Sequence, residues 1–129
     1  MLSTRSDLFY AMPEQGRKEV MRGMIQATAV LNDEELRNIA RTRARILAEF
    51  TAEKRKTLMG THMVALMEFS MDKMARDLDA MFITVQDLDD QQRMAVMGTM
   101  KELMMGMPEQ QRQMMMVHLP EEARKMLMA

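Results

Sequence analysis

Apolar residues in this chain recur at helical intervals rather than in alternation. Met59, Met63, Met67, Met71 and Met74 follow at steps of three and four, as do Met97, Met100, Met104 and Met107. Such steps keep side chains on one face of an α-helix. Six segments begin alike: "PEQGR" at 13, "DEELR" at 33, "TAEKR" at 51, "DDQQR" at 89, "PEQQR" at 108 and "PEEAR" at 120. Each opens on Pro, Asp or Thr, continues with acidic or amide side chains, and has Arg fifth. This is helix-start chemistry. Thr and Asp cap free backbone N–H groups, Pro suits a first turn, and early Glu opposes the helix dipole. Large apolar residues usually precede the start (Met12, Phe50, Phe69, Leu88, Met107), as a hydrophobic staple requires.

The starts are evenly spaced. From 13 the steps are 20, 18, 38 and 19, and the double step has a match at its midpoint: "LMEFSMDK" (66–73) against "LAEFTAEK" (47–54). A further start at Ser70 gives a degenerate 19-residue unit, one helix of about four turns and a tight turn. Asn32 and Leu31 then read as the site of a one-residue insertion. The competing expectation is one continuous helix from 52 to about 81 with Ser70 inside it. Short turns between equal helices predict an up-down array whose chain neighbours run antiparallel. The expected fold is all-α: a single domain over 1–129 with about six to eight short helices. Within it, 1–12 holds a leading short helix, 13–119 the array, and 120–129 a C-terminal stub helix. The phrase "LPEEARKML" (119–127) resembles helix starts of superhelical proteins such as the magnesium-transporter cytoplasmic domain and the flagellar motor switch. That likeness covers one helix-start phrase and carries no functional motif.

Composition makes methionine the principal core-former. Leu, Ile, Val and Phe supply 26 of the 129 residues, near the level where disorder is the default, and 21 Met reverse that. Met has good helix propensity and fills irregular gaps. The net charge of −1 demands neither nucleic acid nor anionic membrane. Residues 1–57 carry 11 basic against 8 acidic side chains, and 58–129 carry 7 against 11, a mild asymmetry. The absence of Cys excludes disulfides, zinc thiolate sites and thiol nucleophiles. No apolar run suits a secretory signal or reaches the ~18 residues of a membrane span. A cytoplasmic location is the simplest expectation.

Little in the chain points to catalysis. It has two His, one Tyr, no Trp, no Gly-rich phosphate loop and no nucleophile-elbow serine, so an enzyme is not expected, nor is a cofactor. Arg37, Arg41 and Arg45 make a basic stripe with Arg43 beside it, of a kind that grips phosphates. Asp33 and Glu49 at four-residue offsets, and the lack of interleaved aromatics, favour a solvated face instead and argue against nucleic acid.

Methionine carries the richest signal, and packing is its simplest meaning. A sharper one is Cu(I) binding through soft thioethers, with Met59, His62 and Met63, or Met114 and His118, as ligands. Against that, a cytoplasmic Cu(I) protein is expected to use thiolates. An oxidant sink is a third idea and requires exposed Met. The stretch Met114, Met115, Met116, Val117 points around a whole helix circumference, and residues 103–107 nearly do so. The primary expectation is therefore an adaptable apolar surface over about 94–128. Met97, Met100, Met104, Met105, Met107, Met114, Met115, Met116 and Leu119 would contact a partner helix or a second copy of the chain. Calmodulin and the signal-recognition-particle M domain use the same principle, and the likeness to them is compositional.

Overall fold

The computed structural model describes residues 8–128, with side chains through Leu127. A helical turn at 8–11 precedes seven helices: α1 Glu14–Thr28, α2 Asp33–Glu49, α3 Ala52–Leu66, α4 Met71–Val85, α5 Asp90–Met105, α6 Glu109–His118 and α7 Glu121–Met128. No strand occurs among the described residues. The first six helices begin at 14, 33, 52, 71, 90 and 109, a step of 19 every time.

Local chemistry sets these starts. Thr51, Ser70 and Asp89 each accept a hydrogen bond from the backbone N–H three residues on, and Asp89 closes a capping box with Gln92. Asn32 caps α2 in the same way with Glu35, so Asn32 and not Asp33 holds the cap position. The expected one-residue insertion is therefore absent, and the unequal 20 and 18 steps disappear. Ser70 ends the continuous-helix alternative, because the chain leaves helix at 67–70. Met67 and Met71 consequently lie off the stripe that holds Met59 and Met63. Of the leading helix expected before residue 12, only 8–11 falls within the described residues.

The helices form an array, but chain neighbours are not the ones that pack most closely. The dominant contacts join helices two apart, α1 to α3, α2 to α4 and α3 to α5, while consecutive helices scarcely touch. Hydrogen bonds between helices join residues 43 to 46 apart, among them Arg17 to Thr61, Arg76 to Asp33, Arg41 to Asp87 and Lys56 to Glu102. A constant difference in residue number means that the paired helices run parallel. Their starts lie 38 apart, so each helix is slid along its partner by about six residues, roughly 9 Å. Two rows result: α1, α3, α5 and α7 in one, α2, α4 and α6 in the other, joined where α2 meets α5. None of the described residues outside glycine has positive φ, and neither does any glycine. The left-handed cap that often ends a helix is thus not used.

A polar clasp recurs in the first row. Arg55, 7% exposed, donates through Nε to Thr99 Oγ1 at 3.1 Å and through Nη1 to the Phe50 carbonyl at 3.1 Å. Arg17, one double unit earlier, donates to Thr61 Oγ1 at 3.5 Å and to the Met12 carbonyl. Both arginines stand fourth after their caps, where α2 and α4 carry Leu36 and Met74. The phrase "MGT" at 59–61 returns at 97–99, so the fuller repeat is a 38-residue pair of helices.

Candidate functional site

A cavity of about 580 Å³ lies between the two rows, walled mainly by residues of α1 to α5, within the size range of small-molecule sites. The repeat explains its walls. The eleventh residue after each of the first five caps lines it: Met24, Arg43, His62, Met81 and Met100. Deeper in, Met21, Met59 and Met63 add thioethers, and Leu58, Leu78 and Val96 add branched apolar surface. Six methionines thus bound one apolar space. Unbranched and polarizable, they adapt to the shape of an occupant better than branched residues do.

Asn38 and Thr42 add polar groups to the walls of this space. Arg43, His62 and Asp77 all line it. Lys73 pairs with Asp77 at 2.8 Å, with side chains 11% and 9% exposed, and its Nζ also donates to Thr28 Oγ1 at 3.2 Å. Burial, with the positive charges of Arg43 and Lys73 acting in the same direction, lowers the pKa of His62 to about 4. His62 is therefore neutral at pH 7. Burial also lowers the pKa of Arg43, partly offset by the Asp77 carboxylate. Arg43 stays charged, as guanidinium groups do in proteins.

The expected C-terminal surface is redistributed by this packing. Met97, Met100, Met104, Met115 and Leu119 are core residues, each 8% exposed or less. Met107, Met114 and Met116 are partly buried, with Met107 and Met116 packed on the core, and Met105 alone of the set is exposed, at 66%. In the turn 114–117 the outward residue is Val117, 71% exposed. These methionines do not form one continuous outer face. The reason is the skip-one packing: α5 is held by α3 and α7 in its own row and by α2 in the other, so a helix apolar on most sides is enclosed.

The metal candidates separate. Met59, His62 and Met63 reach the cavity, whereas Met114 and His118 do not line it. No group of three or more His, Cys, Asp or Glu placed to hold a metal occurs among the described residues. In the basic stripe Arg37 and Arg45 are exposed, and Arg41 pairs with Asp87 at 3.2 Å. Asp33, expected beside Arg37, instead pairs with Arg76 at 3.3 Å. Asp77 and Lys73 carried no sequence signal, and Arg43 was legible only as a neighbour of the stripe. The 19-residue register was the usable clue, since it sets Arg43 and His62 at a place that Met holds in three other units. No protein-family model, curated protein or solved structure matches the chain. Among the described residues no helix is long and apolar enough to cross a membrane.

Proposed function

We propose that this chain is a non-enzymatic, cytoplasmic binding module that takes an apolar ligand into the methionine-lined cavity between its two rows of helices. What carries the reading is the convergence of five repeat units on one apolar space with a few polar groups, the usual composition of a ligand site. The adaptable methionine surface is here assigned to the cavity wall, and of the set expected over residues 94–128 it includes Met100 alone. Contact with a partner helix through residues 94–128 is the less favoured reading, because four of the eight methionines expected there are buried in the core.

Cu(I) binding is a second reading, and one observation favours it. His62 is neutral, the form that ligates metals, and shares the cavity with Met59 and Met63. One set of thermal melts separates the two. A ligand of the folded state raises the melting temperature in a saturable way. Dodecanol should raise it in the native chain and not in an Ala44→Leu variant, whose larger side chain takes up cavity space from the wall. Failure of dodecanol together with a stoichiometric rise on Cu(I) addition, lost in His62→Phe, would replace the first reading by the second.

A further inference from the structure

We infer that the ligand of this cavity carries a single carboxylate, received by Arg43, with its aliphatic body held by the surrounding methionines. The inference rests on the cavity reading above and adds the charge of the occupant.

Charge complementarity is the argument. The ionised side chains that line the cavity are Arg43 and Asp77, and Lys73, which pairs with Asp77 from outside the lining, leaves one positive charge over. His62 does not alter that sum, because it is neutral at pH 7. Lys73 already holds the Asp77 carboxylate at 2.8 Å. Arg43 donates no hydrogen bond to another residue among those described, although Asp77 lies near enough to act on it electrostatically. No fully buried polar side-chain atom lacks a partner among the described residues, so the Arg43 donors keep access to the cavity or to solvent.

A guanidinium in an apolar wall is a costly arrangement unless an anion meets it. Its planar fork matches the two oxygens of a carboxylate. One negative charge balances the surplus. A phosphate monoester, at about −1.5 to −2 near neutral pH, exceeds it, and an ammonium head group is repelled. A neutral His62 adds one N–H donor to the lining without adding charge. The apolar remainder follows from the walls, where Met24, Met81 and Met100 occupy the places equivalent to Arg43 in their own repeats.

The test is calorimetric titration of the full chain with dodecanoate, dodecanol, dodecyl phosphate and dodecylamine, all below micelle-forming concentrations. Dodecanoate should bind once per chain, at least about tenfold more tightly than the other three, as a charge-assisted hydrogen bond allows. Arg43→Met, which places at this site the residue that the equivalent positions carry, should bring dodecanoate and dodecanol to the same affinity with the helical circular dichroism retained. If that variant does not fold, Arg43→Lys keeps the charge and loses the fork, and should reduce the preference without removing it. Equal affinity of the native chain for dodecanoate and dodecanol overturns the carboxylate assignment and leaves the cavity reading standing. So does tighter binding of the phosphate or the amine. No binding of any of the four overturns both.

Discussion

At the scale of single residues, His62 shows how the repeat register and the electrostatics meet. Its place is held by Met in three other units, yet here an imidazole sits close to Arg43 and Lys73. Its pKa in the folded chain, about 4, lies below the unfolded value of 6.5. The unfolded state therefore binds more protons between these two values, and stability rises with pH through that window. Above pH 6.5 the imidazole is neutral in both states and imposes no penalty. As pH falls from 6.5 towards 4, stability should decline, with a slope of at most about 1.4 kcal/mol per pH unit from this group. Urea unfolding of the native chain and of His62→Met at pH 6.5 and pH 4.5 measures it. The native chain should lose more stability than the variant over that interval. Equal losses would show that His62 is protonated as readily in the folded chain as in the unfolded one.

At the scale of helices, the starts were legible in the sequence because capping is local. Thr51, Ser70 and Asp89 each satisfy an N–H three residues away, and a reader of the chain sees both partners. At the second start, Asn32 and Asp33 both suit a cap, and only the geometry separates the two adjacent residues. Which helices touch was not legible in the same way, because the clasp from Arg55 to Thr99 spans 44 residues. The repeat makes a sharp prediction here. Val20 and Val96 hold the same place, seventh after their caps, but Val96 is 1% exposed and packed within the array while Val20 on the first helix is 43% exposed. Val96→Ala should cost about 2 kcal/mol from lost burial and the space left behind. Val20→Ala should stay within about 0.5 kcal/mol of the native chain, as surface changes usually do. Denaturant midpoints for the two variants check this, and similar losses at both positions would mean that the first helix is covered as α5 is.

At the scale of the whole molecule, the position of the cavity was what the sequence concealed. Composition showed that methionine builds the interior, and residues 94–128 looked like an excess of apolar surface because the enclosure of α5 by α2, α3 and α7 depends on contacts between distant segments. The cavity likewise needs α1 to α5 in place before Met24, Arg43, His62, Met81 and Met100 converge. The abundance of methionine also supplies the most direct probe of the account. Methionine methyl spectra of chain labelled at these groups should be recorded during titration with dodecanoate, with single Met→Leu variants for assignment. The account predicts that Met21, Met24, Met59, Met63, Met81 and Met100 shift together and saturate at one ligand per chain, while exposed Met94 and Met105 stay in place. Shifts confined to Met105, Met114 and Met116 would contradict it and return the binding surface to the C-terminal half.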